Sequence, residues 1–140
     1  MRSGRRTLPF GASEEMPATE RGCALLADRH LGLMEGVRGL LETEFETVVV
    51  VGDEVSLFET ARQLHVAIAV VDLSLRRGDG QGLIRKMRTQ FPRLKLIALS
   101  VHGEKNVELA AIDAGADGFV LKRLIATDLL PTIDCVLAGA

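Results

Sequence analysis

Short runs of apolar residues alternate with longer amphipathic segments from residue 22 onward. The short runs are nearly continuous, which is typical of strands buried on both faces of a parallel sheet. In the longer segments, apolar residues recur every three or four positions, as they do on one face of a helix. The short runs predict strands at 23–27, 48–51, 67–71, 94–99 and 119–121. The longer segments predict helices within 31–45, 55–64, 83–91, 107–114 and 129–137.

Five strand–helix units in succession predict one α/β domain over residues 22–140. Right-handed crossovers place the helices on both faces of a parallel sheet, so the expected architecture is a three-layer sandwich. The chain has 140 residues, of which 47% are apolar, and this is enough to fill a single core.

The first 21 residues lack this periodicity. They carry three arginines near the start and two adjacent glutamates further on, without the apolar region of a signal peptide. We interpret residues 1–21 as a disordered leader, and a basic interaction arm is the alternative.

Composition narrows the functional classes. A formal net charge of -2 gives no basic footprint for nucleic acid, and no apolar stretch is long enough to predict a membrane span. Two distant cysteines, Cys23 and Cys135, are expected to be reduced thiols in a cytoplasmic protein. The histidines His30, His65 and His102 are scattered along the chain, and the sequence assigns them no role.

Polar residues stand where four of the predicted strands end. They are Asp28, Asp72, Ser100 and Lys122. Because the carboxyl ends of parallel strands meet at one edge of a sheet, these side chains are expected to converge there. A carboxylate is a competent nucleophile, and phosphoryl transfer needs mainly positioning and charge neutralisation. An acid, a hydroxyl and an ammonium at this edge therefore predict an aspartate that accepts a phosphoryl group.

The order of these residues resembles that of a known family. The pieces are Ala27-Asp28, Val70-Val71-Asp72-Leu73-Ser74-Leu75, Asp79-Gly80, Leu99-Ser100 and Gly115-Ala116-Asp117-Gly118-Phe119-Val120-Leu121-Lys122. Together they resemble the receiver domain of two-component response regulators, and most closely the NarL/FixJ-type (LuxR-family) subgroup, over residues 22–139. The resemblance implies a flavodoxin-like (βα)5 three-layer α/β sandwich with parallel strand order 2-1-3-4-5.

The resemblance also implies a role for each site residue. Asp72 would be the phosphoacceptor and would receive a phosphoryl group from a histidine kinase. Lys122 would neutralise a phosphoryl oxygen, and Ser100 would donate its hydroxyl to another. Asp28, Asp72 and the backbone carbonyl of Ser74 would hold Mg²⁺.

Switching and partners follow from the same resemblance. Ser100 and Phe119 would be the switch residues, although Phe119 has core packing as its alternative role. The face formed by the fourth helix, fifth strand and fifth helix would form a homodimer. DNA would be contacted only through a C-terminal domain outside this chain, and no membrane is involved. The domain would not be an enzyme, beyond catalysing its own phosphorylation and dephosphorylation.

Arg29 departs from the family pattern. The family generally has a second acidic residue at this position, and that residue touches the metal directly. Two interpretations stay open: Arg29 points into the pocket and stands in for the missing cation, or it turns to solvent and leaves a weakened metal site. Because Mg²⁺ prefers oxygen ligands, the substitution favours impaired Mg²⁺ binding.

Two rival functions remain at the level of the sequence. A degenerate pseudo-receiver would act through phosphate-independent protein–protein contacts, and Arg29 is its main support. A small α/β enzyme or a flavin-binding module would share the fold, since fold does not determine function. The chain has no glycine-rich nucleotide loop and no tryptophan or tyrosine to stack on a flavin.

Overall fold

Strands and helices alternate along the part of the chain that the structure, a computed structural model, describes. That part comprises residues 21–30, 32 and 34–139, so residues 1–20 of the predicted leader lie outside it. The strands are β1 (Cys23–Ala27), β2 (Thr47–Val51), β3 (Ile68–Asp72), β4 (Lys95–Ser100) and β5 (Gly118–Leu121). The helices are α1 (Met34–Glu42), α2 (Glu54–Gln63), α3 (Gly80–Gln90), α4 (Lys105–Ala114) and α5 (Ile125–Leu137).

The strands form one parallel sheet in the order β2-β1-β3-β4-β5, which confirms the predicted flavodoxin-like fold. In the register, Ala27 of β1 lies beside Val71 of β3, and Ser100 of β4 lies beside Leu121 of β5. The residues that follow these pairs therefore come out at the same edge of the sheet.

Apolar side chains cover both faces of the sheet. On one face β1, β3 and β4 pack against α2, α3 and α4, and on the other face they pack against α1 and α5. Every residue of β3 is buried, which is why its sequence is a continuous apolar run. The predicted three-layer arrangement is confirmed.

The ends of α1 and α5 differ from the prediction. The apolar pattern predicts that α1 extends to Phe45, but the helix ends at Glu42 and Phe45 lies just beyond the turn at 43–44. The Thr43 hydroxyl donates to the Leu40 carbonyl at 2.7 Å, so this residue bonds back to the last turn of the helix. Phe45 is nonetheless buried in the core, and this explains its place in the apolar pattern. Helix α5 begins at Ile125, four residues before the predicted start at 129.

Arg88 joins three chain segments at the edge opposite the site. Its guanidinium donates to the Leu94 carbonyl at 2.7 Å and to the Gly115 carbonyl at 2.8 Å. It also pairs with Asp117 at 2.7 Å, and the same Asp117 oxygen accepts the Leu96 backbone N–H at 2.9 Å. Arg88 therefore links the end of α3 to the starts of β4 and β5.

We expect Arg88→Ala to lower the free energy of unfolding by about 2 kcal/mol, because several backbone carbonyls lose a charged donor. Urea unfolding followed by circular dichroism measures this, since the chain lacks tryptophan and tyrosine. Arg85→Ala is the matched control, because Arg85 is an exposed residue of the same helix. Equal unfolding midpoints for the two variants would contradict the linking role of Arg88.

Candidate functional site

Strand ends bring the four predicted polar residues to one edge of the sheet. Asp72 and Ser100 are the last residues of β3 and β4, and Asp28 and Lys122 directly follow β1 and β5. Among the described residues, the buried polar side chains are those of Asp28, Asp72 and Ser100. The three polar residues of this part of the chain that are buried as whole residues thus lie at this edge.

Lys122 bridges the two aspartates. Its Nζ lies 2.6 Å from Asp28 Oδ2 and 3.1 Å from Asp72 Oδ2. The Lys122 side chain is 15% exposed and that of Asp28 is 0% exposed, so water screens this contact weakly. One ammonium therefore neutralises part of the charge of two buried carboxylates.

The bridge changes the acidity of its members. Burial by itself would raise the pKa of Asp28, but Lys122 and the His30 backbone N–H outweigh burial and hold that pKa below its usual value. Burial would lower the pKa of Lys122, but the two carboxylates outweigh it and raise that pKa. Asp28 therefore contributes stability that is lost as the pH falls through its lowered pKa. The contribution of Lys122 is present below its usual pKa and is lost as the pH rises through its raised pKa.

Asp72 is held by the turn that follows it. Its Oδ1 accepts the Ser74 backbone N–H at 3.1 Å, and its Oδ2 accepts the Ser74 hydroxyl at 2.7 Å. These bonds cap the short 3-10 turn Leu73–Leu75 and orient the carboxylate. Oδ2 also receives Lys122, so Oδ1 is the less occupied oxygen.

Ser100 faces the same space without bonding to Asp72. Its hydroxyl donates to the His102 carbonyl at 3.0 Å and accepts the His102 backbone N–H at 2.9 Å. A cavity of about 500 Å³ is lined by Asp72, Ser74 and Ser100 together with Asn106 and Ala110 of α4. The structure therefore brings the hydroxyl to the pocket while its hydrogen bonds stay within its own loop.

A second network fastens the loop after Asp72. Arg76 contacts Glu54 of α2 through two hydrogen bonds of 2.6 and 3.1 Å, and it contacts Asp79 at 3.3 Å. The hydrogen bond from Arg76 lowers the pKa of Glu54. Asp79 in turn accepts the Gly82 backbone N–H at 3.0 Å and caps α3. This loop is thus tied to both neighbouring helices.

His30 belongs to the site, although sequence reasoning gave it no role. Ligand atoms of Asp28, His30 and Asp72 lie within 4.8 Å of one another. The His30 backbone N–H donates to Asp28 Oδ1 at 2.8 Å, and its ring Nδ1 lies 3.2 Å from the same oxygen. An aspartate two residues before a histidine in a loop is the signal that could have found it, because this spacing forms an Asx turn.

The donor set suits a cation in part. Two buried carboxylates supply oxygen ligands of the kind that Mg²⁺ takes. Asp28 Oδ2 is buried and accepts no well-aligned hydrogen bond from the described residues, although Lys122 lies against it. The pocket therefore retains anionic oxygen for a cation.

Arg29 turns away from these residues. Its side chain is exposed, and within the described part of the chain it forms no ion pair with Asp28 or Asp72. Lys122, rather than Arg29, supplies the positive charge inside the pocket.

Phe119 lies beside Ala98 and is half-buried against the core, and its switching role stays a prediction.

The fold and the site together define a class. A parallel sheet in this order, with a buried aspartate pair and a lysine at its carboxyl edge, is the receiver type of flavodoxin-like domain. Residues 24–134 match the family model of the response regulator receiver domain. The chain belongs to this family, and the resemblance found in the sequence is confirmed.

Similar proteins are LuxR- and NarL-type response regulators. The nitrate/nitrite response regulator protein NarP of Escherichia coli (strain K12) is 30% identical over 127 residues, covering 89% of this chain and 58% of NarP. The transcriptional regulatory protein RcsB of the same strain is 33% identical over 121 residues, covering 82% of this chain and 56% of RcsB. The crystal structure of a LuxR-family two-component response regulator from Aurantimonas sp. SI85-9A1 has a TM-score of 0.75 and 28% identity, covering 84% of this chain and 85% of that one.

The chain spans little more than half the length of the two curated relatives. No helix among the described residues is both long enough and apolar enough to cross a membrane.

We expect Lys122→Met to lower the free energy of unfolding by about 3 kcal/mol near neutral pH, because it leaves Asp28 buried without its partner. Without Lys122 the pKa of Asp28 rises. The loss of unfolding free energy relative to the parent chain therefore becomes smaller on acidification, as this carboxyl group takes up a proton. Urea unfolding at about pH 7 and about pH 4.5 measures both effects. Lys105→Met is the control, since Lys105 is exposed and lies outside the pocket. A deficit of equal size at both pH values would contradict the ion-pair argument.

Proposed function

We propose that this chain is a phosphorylation-controlled signalling switch in which Asp72 accepts a phosphoryl group from a histidine kinase. The observation that carries the proposal is the Lys122 bridge at the open cavity. A buried carboxylate lies 3.1 Å from an ammonium, and it borders a space of about 500 Å³ that also contains a serine hydroxyl. These are the nucleophile and the two charge-stabilising groups that phosphoryl transfer requires.

In the proposed step, a carboxylate oxygen of Asp72 attacks phosphorus. The bond from phosphorus to the donor nitrogen breaks, the electron pair leaves with that nitrogen, and an acyl phosphate forms on Asp72. Lys122 is already in place to pair with a phosphoryl oxygen. Asp28, Asp72 and the Ser74 carbonyl would hold Mg²⁺, which when bound supplies further neutralisation of phosphoryl charge.

The switch begins at Ser100. In the described structure its hydroxyl is bonded to His102, so reaching a phosphoryl oxygen requires breaking bonds within the β4–α4 loop. A movement of this loop would be passed on to α4 and to Phe119 of β5. On α4, Leu109 and Ile112 are exposed. We propose that this face then forms the homodimer contact, which makes phosphorylation a local charge event with a distant effect.

We propose in addition that Mg²⁺ binding is weakened. The pocket holds two carboxylates and one ammonium, and position 29 places an exposed guanidinium where the family has a third carboxylate. A hard cation loses an anionic oxygen ligand and gains a nearby positive charge.

Contact with DNA would belong to a further domain of the whole protein, in keeping with the similarity to the transcriptional regulatory protein RcsB.

One observation favours a second candidate, the pseudo-receiver that works without phosphate. Arg29 stands where the family generally has a second acidic residue, and its side chain is exposed. With Arg29 outside the pocket, such a site could keep one conformation permanently and act through protein contacts.

Intact mass measured after treatment with a small-molecule phosphodonor and Mg²⁺ separates these two functions. We expect one alkali-labile phosphoryl addition to the unmodified chain, and none to Asp72→Asn. Asp79→Asn is the matched control, because Asp79 is a nearby acid whose capping role asparagine can keep. Absence of any addition to the unmodified chain, with and without Mg²⁺, would favour the pseudo-receiver.

Arg29→Asp tests the metal proposal. We expect Mg²⁺ affinity to rise by about tenfold, because each pair of unit charges 4 Å apart contributes about 1 kcal/mol even in bulk water. The rate of phosphorylation should rise with it. Calorimetric titration with Mg²⁺ measures affinity, and Arg77→Asp makes the same charge change at an exposed position of the β3–α3 loop. An equal gain in both variants would show a general charge effect rather than a restored ligand.

A further inference from the structure

We propose that Arg76 is a positioning residue for Asp72: its ion pair with Glu54 holds the β3–α3 loop, and this loop in turn orients the Asp72 carboxylate. The inference rests on the proposed function for the reaction of Asp72, and it adds a residue that sets the rate of that reaction from outside the cavity. Arg76 is not among the described residues that line the cavity, so it acts through its neighbours in the chain.

The Arg76–Glu54 pair has the geometry of a fixed contact. Arg76 Nε donates to Glu54 Oε1 at 3.1 Å and Nη2 donates to Oε2 at 2.6 Å, so both carboxylate oxygens are engaged. Two hydrogen bonds from the planar guanidinium fix the direction of the contact as well as its length. Each side chain is 27% exposed, so water screens the pair only in part. The pair can therefore hold the loop in one position.

Glu54 is a firm anchor for this pair. It is the first residue of α2, and the Asp53 side chain caps this helix by accepting the Ser56 backbone N–H at 2.7 Å. The Lys86 ammonium of α3 lies 3.7 Å from Glu54 Oε2 and 4.6 Å from the centre of the Phe58 ring. The Glu54 carboxylate is thus held by α3 as well as by the loop, and Lys86 is a positive partner that does not belong to the loop.

The loop connects the position of Arg76 to that of Asp72. Arg76 directly follows the 3-10 turn Leu73–Leu75. Within this turn, Ser74 donates its backbone N–H and its hydroxyl to the two oxygens of Asp72, at 3.1 and 2.7 Å. The Arg76 carbonyl accepts the Asp79 backbone N–H at 3.1 Å, and Asp79 caps α3. A shift of Arg76 therefore moves Ser74, and Asp72 loses the donors that orient its carboxylate.

Close packing makes the turn and the start of α3 move together. A Cβ added to Gly80, the first residue of α3, would lie 2.6 Å from both the Cβ and the carbonyl oxygen of Leu73, and Leu75 is buried. The Arg76–Glu54 pair connects this unit to α2. Its position matters for the reaction, because a displacement of about 1 Å can slow a positioned reaction by about 100-fold.

Hydrogen exchange of the Ser74 amide, measured by NMR without phosphodonor, tests the orienting contact directly. We expect this amide to exchange about tenfold faster in Arg76→Gln and in Glu54→Gln, because the loop loses a charged hydrogen-bonded pair. The double variant should exchange no faster than either single variant, since the two side chains act as one pair.

The rate of phosphorylation by a small-molecule phosphodonor with Mg²⁺ tests the effect on the reaction. We expect the maximal rate to fall by about tenfold in both single variants, while the half-saturating donor concentration changes by less than about twofold. This split follows because Arg76 positions the nucleophile and does not bind the donor.

Lys86→Gln is the matched control, because it removes the other positive partner of Glu54 and keeps Arg76. It should retain the Ser74 exchange and the phosphorylation rate of the parent chain. Arg88→Ala controls for stability, since it weakens the opposite edge of the sheet and should also retain the parent rate.

Unchanged Ser74 exchange in Arg76→Gln and Glu54→Gln, or an equal acceleration in Lys86→Gln, would overturn the inference. Faster exchange with an unchanged maximal rate would overturn it as well, because the pair would then stiffen the loop without positioning the nucleophile. A parent chain that accepts no phosphoryl group overturns the proposed function instead. The exchange measurement needs no phosphoryl transfer, so the two proposals fail on different results.

Discussion

The contact on which the site depends is the bridge from Lys122 to two buried aspartates. Asp28 directly follows β1 and Asp72 ends the neighbouring strand β3 at matched register, so the sheet itself holds two like charges side by side. Two buried carboxylates are costly without a partner, and the ammonium at 2.6 and 3.1 Å offsets that cost. The same ammonium comes from the far strand β5, so the bridge also ties the sheet together across β4. The order of the strands therefore places the Lys122 ammonium where it can neutralise the two aspartates.

Much of this could be predicted from the sequence because the sheet is buried on both faces. A strand such as β3 then has no polar residue before its end, and the first polar residue marks the edge of the sheet. Asp72, Ser100 and Lys122 were found by that rule, and the resemblance supplied the strand order that places them together. The rule works because parallel strands present all their carboxyl ends in one direction.

The parts that could not be predicted are settled by loops and by side-chain direction. His30 reaches Asp28 only because its backbone N–H closes a turn onto that carboxylate. Ser100 bonds to its own loop through His102, a choice between two partners that spacing cannot decide. Phe45 fills the core from beyond the end of α1, since burial depends on position in space rather than on helix membership. Whether Arg29 enters the pocket was likewise open in the sequence, and the structure directs it to solvent.

If Asp72 accepts a phosphoryl group beside a bound cation, as proposed, then cation binding and phosphorylation are linked through this residue. A phosphoryl group brings additional negative charge to a pocket in which one ammonium already serves two carboxylates. A divalent ion held beside Asp72 lowers the free energy of the phosphorylated form more than that of the free form. By linkage, phosphorylation then tightens binding of the ion by the same factor. In the proposed weakened site, Arg29 in place of an acid would reduce this coupling for Mg²⁺.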